Sequence, residues 1–208
     1  MRARLFRLAS AGIALCLALA LGAKAASAAP EVTLVTNKGN IVITLNQRKA
    51  PKSVANFLKY VRSGHYNGTV FHRVIPNFMV QGGGFTAQYR KKPTRAPIHN
   101  EADNGLRNVK GSLAMARTSD PHSASAQFFI NVADNGFLDH KSKTRRGWGY
   151  AVFGKVKRGM NVVMAIVNSR TGAAGPFQKN VPLDTVVIRK AYVGKGGSML
   201  RKYRKKGN

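Results

Sequence analysis

The stretch TVFHRVIPNFMVQGGG, Thr69–Gly84, holds two strand-like runs, Thr69–Ile75 and Phe78–Gln81, on either side of Pro76-Asn77. β-Branched and aromatic residues fill both runs and Pro-Asn supplies turn chemistry, so the pair reads as an antiparallel hairpin. Alternation places Phe71, Arg73 and Ile75 on one face of the first run. Beyond the turn, Met79 and Gln81 share a face and Phe78 takes the other. An Arg flanked by apolar residues either reaches out to water or is held partly buried for a ligand. Gly82, Gly83 and Gly84 permit close backbone approach or unusual dihedrals. They are not a phosphate loop, because no Lys-Ser/Thr and no helix pattern follow. On spacing alone, an ordinary hairpin with a surface Arg is the simpler reading.

Outward from this hairpin the same grammar repeats. Upstream, Val32–Thr36 and Ile41–Leu45 flank Asn37-Lys38-Gly39-Asn40, a second hairpin. Pro51 suits the first turn of a helix, Val54, Phe57, Leu58 and Val61 form one apolar face, and Gly64 ends it. Downstream, strands are expected at Ser112–Ala116, Gln127–Val132, Tyr150–Val156 and Val186–Val193, with a second helix over Met160–Val167. Strands dominate without βαβ alternation. That order points to a mainly β fold, an antiparallel sheet closed into a barrel with two α-helices covering its ends.

Two further segments are candidates for chemistry. In Gln127-Phe128-Phe129-Ile130-Asn131, following Ser112–Arg117 and a polar loop, Phe128 and Phe129 must face opposite sides of a strand. One can pack inward while the other lines a groove; both serving as sheet packing is an equally good reading. Phe137-Leu138-Asp139-His140 adds an apolar pair beside a turn.

Composition removes several alternatives. The 208 residues carry 35 Lys+Arg against 7 Asp+Glu, a formal charge of +28. So few carboxylates disfavour paired-carboxylate catalysis and oxygen-rich metal cages. The single Cys excludes an internal disulfide or a cysteine zinc site. His65, His72, His99, His122 and His140 are scattered, with none at metal-ligand spacing, and Ser123 and Ser125 lack a nucleophile elbow. No metal and no cofactor is expected.

The ends read as appendages. Arg2, Arg4 and Arg7 precede an Ala/Leu-rich apolar run from Leu8 to Ala23, then Ala26-Ser27-Ala28. This is the pattern of a signal peptide, residues 1–28, cleaved after Ala28. A retained anchor is the alternative, though the run is short for a membrane span. A lipid on Cys16 is disfavoured by the bulky Leu15 before it. Cleavage removes Arg2, Arg4, Arg7 and Lys24, lowering +28 to +24. Residues 29–193 form the folded domain, and residues 194–208 a basic flexible tail.

The words FHRVIPNFMVQGGGF, SLAMAR, AQFFINV, GFLD and YAVFGKV, in this order, closely resemble the cyclophilin family of peptidyl-prolyl cis-trans isomerases. The resemblance runs from about Glu31 to Val193. NEADNGLRN and AMART look most like its exported bacterial branch, which implies a periplasmic location. The resemblance implies an eight-stranded antiparallel barrel capped by two helices. It places the active Arg on Arg73, the proline pocket on Phe78, Met79, Phe129 and Leu138, and a positioning Gln on Gln81. Phe78 and Gln81 thereby join Arg73 as catalytic candidates. A backbone segment that bonds the bound peptide falls on Ala116 and Arg117, and Gln127 lines the same groove. The family's frequent rim Trp is Phe137 here, its frequent His is Tyr150, and many eukaryotic members have Asn where Arg117 stands. These changes leave the isomerase chemistry intact but put tight cyclosporin binding in doubt.

The expected partners are proline-containing unfolded or partly folded polypeptides, met by a monomer. The basic face and tail suit an anionic surface or acidic clients, and export argues against nucleic acid. A basic binding module that keeps the fold without the activity is the competing class.

Overall fold

The computed structural model describes residues 28–194. All but the last residue of the expected leader, and all but the first of the expected tail, lie outside the described residues.

Strands β1 (Glu31–Thr36) and β2 (Gly39–Leu45) form the first hairpin, followed by helix α1 (Pro51–Arg62). Then come β3 (Thr69–Ile75), β4 (Met79–Thr86), β5 (Ser112–Met115), β6 (Phe128–Asn131) and β7 (Val152–Arg158). Helix α2 (Met160–Val167), a small hairpin of β8 (Thr171–Ala174) and β9 (Phe177–Pro182), and β10 (Val187–Val193) complete the chain. Eight strands close into a barrel in the order β1-β10-β3-β4-β6-β5-β7-β2, and each neighbouring pair is antiparallel. Closure removes the exposed sheet edges that an open sheet would carry.

Alternation divides the side chains between two clusters. One fills the barrel interior with Leu34, Ile43, Phe71, Val74, Leu113, Phe128 and Phe153, and takes Val54, Phe57 and Val61 of α1 and Val163 and Ile166 of α2. The apolar spacing of each helix is thus used to cover the barrel. The second, smaller cluster of Met79, Ala114, Phe129, Leu138 and Val152 lies separately, on the outer wall.

Helix α1 begins at Pro51 but has Ala50 at its N-cap, with no side-chain cap of its own. Glu101, 48 residues downstream of Ser53, supplies the missing acceptors. Its Oε1 accepts from the Lys52 N–H at 2.9 Å, and its Oε2 from the Ser53 N–H at 2.8 Å and the Ser53 hydroxyl at 2.7 Å. A carboxylate at a helix N-terminus also meets the positive end of the helix dipole.

Three expectations are corrected. Phe71 does not share a face with Arg73 and Ile75: the β3–β4 register shifts on both sides of Phe71. These irregularities turn Phe71 into the interior, while Arg73 is exposed and Ile75 packs on the outer cluster. Gly82 makes the turn possible, since a Cβ there would stand 2.9 Å from the Phe71 ring. Phe78 does not take the face opposite Met79. It lies in the turn before β4, where strand alternation does not apply, and it packs on the same outer cluster as Met79. Finally, β4 continues through all three glycines to Thr86, and the β8–β9 hairpin was not anticipated.

Candidate active site

One rung of the barrel carries the site. Arg73 on β3 pairs in register with Gln81 on β4, Gln81 with Phe129 on β6, Phe129 with Ala114 on β5, and Ala114 with Val152 on β7. Met79, two residues before Gln81, falls on the same outward face, as strand alternation requires. A polar pair thereby stands directly beside an apolar patch.

The polar half is a relay of side chains. Arg73 Nη1 donates to Gln81 Oε1 at 3.3 Å, and Gln81 Nε2 donates to Gln127 Oε1 at 2.9 Å. The relay fixes the amide orientation of Gln81 and leaves most of the Arg73 donors uncommitted. Gly84 lets Gln127 lie close, because a Cβ at that position would be 2.6 Å from its Cγ and Cδ.

The apolar half is Met79, Phe129 and Leu138, all buried, with the half-buried Phe78 packed against them. Tyr150 meets Phe129 edge-on at 5.6 Å, and Arg117 lies over the Tyr150 ring at 4.6 Å. Together with Ala116, these residues line one groove of about 440 Å³. A larger hollow of about 980 Å³ along β2 and β7 shares no residue with it.

Of the eleven residues singled out from sequence, ten line this groove. Phe137 does not: it is 66% exposed and stacks on Phe78 at 5.6 Å, outside the lining. The lining also includes His72, Phe85 and Phe177, which sequence reading missed. His72 is buried between Phe85 and Phe177, with ring centroids at 4.7 and 5.1 Å. Burial lowers its imidazole to about 4, with the Arg73 charge acting in the same direction. The bulge explains why His72 escaped notice, and Phe177 comes from the unanticipated β8–β9 hairpin. The Gly175-Pro176 pair between Thr171 and Val181 was the available signal.

A buried amide network holds the floor of the groove. Asn135 Nδ2 donates to the Phe78 carbonyl at 2.8 Å and to Asn131 Oδ1 at 2.7 Å. Asn131 Nδ2 donates to Asn108 Oδ1 at 3.2 Å and Ser112 Oγ at 2.8 Å. Asn108 in turn donates from its backbone and side chain to Asp139 Oδ1. Burial of the Asp139 carboxyl opposes its ionisation, but these donors and Arg107 outweigh burial and hold its pKa below the usual value. The turn bearing Phe78 and the segment bearing Leu138 are therefore cross-braced.

The histidines scattered in sequence are not all scattered in space. His99 and His122 stack at 4.2 Å, and both meet Trp148 edge-on. Among the described residues no group of three or more His, Cys, Asp or Glu is placed to hold a metal ion.

Residues 31–193 match the family described as cyclophilin type peptidyl-prolyl cis-trans isomerase/CLD. Peptidyl-prolyl cis-trans isomerase cyp18 of Streptomyces antibioticus is 61% identical over 162 residues, covering 78% of this chain and 97% of that relative. Peptidyl-prolyl cis-trans isomerase B of Escherichia coli is 54% identical over 162 residues, covering 78% and 98%. A crystal structure of a Cryptosporidium parvum cyclophilin type isomerase, determined in the presence of the dipeptide Ala-Pro, superposes with a TM-score of 0.64 at 26% identity. It covers 80% of this chain and 99% of that one.

Proposed function

The chain belongs to the cyclophilin-type peptidyl-prolyl cis-trans isomerases, and from that premise we propose that Arg73 is its main catalytic residue, acting beside a proline pocket of Phe78, Met79, Phe129 and Leu138. The observation that carries this reading is the register rung that sets the Arg73–Gln81 pair against that apolar patch.

Turning an amide costs about 18–20 kcal/mol because the C–N bond has partial double-bond character. The two X-Pro isomers differ by only about 0.5–1 kcal/mol. The reaction breaks no bond, so a catalyst need only favour the twisted state. In that state resonance is lost and the proline nitrogen becomes pyramidal with a lone pair. A guanidinium N–H aimed at that nitrogen stabilises the twist more than the planar amide, which is differential transition-state binding. Acceleration of about 10⁵ requires roughly 7 kcal/mol. One charge-assisted hydrogen bond contributes about 1.5–3 kcal/mol. The remainder falls to orientation: the pocket grips the proline ring while the rest of the peptide turns. Gln81 assists by reducing the freedom of the Arg73 side chain. Ala116, Arg117 and Gln127 face the bound chain, Tyr150 walls the groove, and Phe137 adds its exposed ring at the rim.

Arg73→Ala tests the assignment. Turnover of a proline peptide is expected to fall at least tenfold with the far-UV circular dichroism spectrum retained; unchanged turnover would overturn it.

The location is the second part of the proposal. The leader pattern at residues 1–28, in a chain whose relatives include bacterial isomerases, supports export of residues 29–193 with a basic tail at 194–208, and the protein is read as a monomer working in the periplasm on exported chains as they fold. The excess of cations favours acidic clients or an anionic surface. The intact mass of the exported protein checks the leader: cleavage after Ala28 is expected, and a mature form that keeps residues 1–28 would contradict it.

A further inference from the structure

The groove holds a second guanidinium. Arg117 follows β5, where the Ala116 N–H donates to the Gln127 carbonyl at 3.0 Å. Its Nε donates to the Gly149 carbonyl at 2.9 Å, and its Nη1 to the Thr118 carbonyl at 2.9 Å. Its plane lies over the Tyr150 ring at 4.6 Å. Two carbonyls and one aromatic face therefore hold this long side chain in place, so little of its rotamer entropy remains to be lost on binding. Its Nη2 makes no hydrogen bond among the described residues.

The groove supplies no counter-charge. Arg73 and Arg117 line it, and no carboxylate does. The acids nearest in sequence are committed elsewhere. Asp120 Oδ1 accepts from the His122 N–H, Asp103 pairs with Lys143 at 3.3 Å, Glu101 caps α1, Asp134 Oδ1 accepts from the Lys110 N–H, and Asp139 accepts from Asn108 and Arg107. The two cations have different settings: Arg73 is tied to Gln81 on the β3–β4 rung, whereas Arg117 is pinned against Tyr150 and backbone. An occupant bearing a carboxylate next to its proline would complete an ion pair that the protein leaves open, in a partly desolvated site where charge-assisted hydrogen bonds are strong.

We propose that Arg117 is a specificity-determining residue, and that it selects X-Pro segments carrying Asp or Glu beside the proline. The inference rests on the reading that this groove holds the proline. It narrows the substrate class from proline-containing chains in general to acidic ones. The placement of a fixed cation, in addition to the overall positive surface, is what distinguishes it from general attraction.

Matched peptides with Glu or Gln flanking one proline test it, with exchange followed by NMR so that no coupling protease imposes its own preference. In the wild type the kcat/KM ratio of Glu to Gln peptide is expected to be at least fivefold. In Arg117→Gln it is expected to fall close to one, and in Arg117→Lys, which keeps the charge but loses the fork, to lie between. Arg90→Gln/Lys91→Gln, on an exposed loop outside the groove, is expected to keep the wild-type ratio. A ratio near one in the wild type, or one unchanged in Arg117→Gln and Arg117→Lys, overturns the proposal; so does a ratio lost in the Arg90/Lys91 variant. Failure of the wild type to turn over either peptide would instead count against the groove as the proline site.

Discussion

Arg73 and Gln81 face each other as register partners on β3 and β4, and Nη1 of the first donates to Oε1 of the second at 3.3 Å. The bond lies just past the usual N–H···O range, which suits a brace better than a clamp. Gln81 in turn is held by Gln127 at 2.9 Å. Removing the brace should raise the barrier without removing the charge. Gln81→Ala is expected to lower kcat/KM by about fivefold, the equivalent of about 1 kcal/mol. Gln81→Ala combined with Gln127→Ala should cost less than the sum of the two, because both act through one relay. A double-mutant cycle on turnover checks this; full additivity would show that the relay does not transmit to Arg73.

The start of α1 depends on a residue from another part of the chain. Glu101→Ala removes three accepted hydrogen bonds at once and leaves the Lys52 and Ser53 donors unmet. A loss of about 1–3 kcal/mol in urea unfolding is expected. Turnover per folded molecule should be unchanged. A shift in midpoint too small to measure would mean that water replaces the carboxylate freely.

Much of this was legible in the sequence, and the exceptions share a cause. Both helices begin where Pro51 and Met160 place them, because apolar spacing and terminal residues are local signals. The eight barrel strands were likewise visible as short β-rich runs. The sites of failure were Phe71, Phe78 and His72. Strict alternation assigned the faces of Phe71 and Phe78, and His72 was read only as one of five scattered histidines, but two register shifts within β3 and a turn before β4 reset the parity. Register is set by pairing with a distant strand, so a single run cannot reveal it. The hairpin at 171–182 packs Phe177 against His72 and Phe85, and its polar, Gly-rich sequence gave little strand signal. The cap of α1 by Glu101 and the amide network of Asn108, Asn131 and Asn135 join residues far apart in sequence, which no local pattern encodes. The leader and tail, apart from Ala28 and Gly194, lie outside the described residues.

His72 gives the fold an acid limit. Its imidazole is held near 4, below the ordinary 6.5, chiefly by burial. The unfolded chain therefore binds a proton before the folded protein does. The stability of the neutral form is intact above about pH 6.5 and is lost progressively as pH falls towards 4, by roughly 3 kcal/mol at most. His72→Phe keeps an aromatic ring between Phe85 and Phe177 and removes the titration. Urea unfolding at pH 7 and pH 4.5 should show a smaller acid loss in the variant than in the wild type. Equal losses in the two would remove His72 as the cause.

The amide network couples stability to the pocket. Asn135→Ala leaves Asn131 Oδ1 without its donor and strips the Phe78 carbonyl of one of two, the Val132 N–H at 3.0 Å remaining. Buried unmet acceptors cost about 1–3 kcal/mol, and the freed turn should hold Phe78 less firmly. Thermal unfolding should move down and KM should rise. A lowered melting temperature with unchanged KM would confine the network to a structural role.

The most direct test of the central claim is Arg73→Lys, followed by NMR exchange at saturating peptide. Lys keeps the positive charge but replaces the rigid fork with a mobile point charge. If the guanidinium acts on the twisted amide, kcat falls at least tenfold while KM changes little. An unchanged kcat, or a loss confined to KM, would contradict the account.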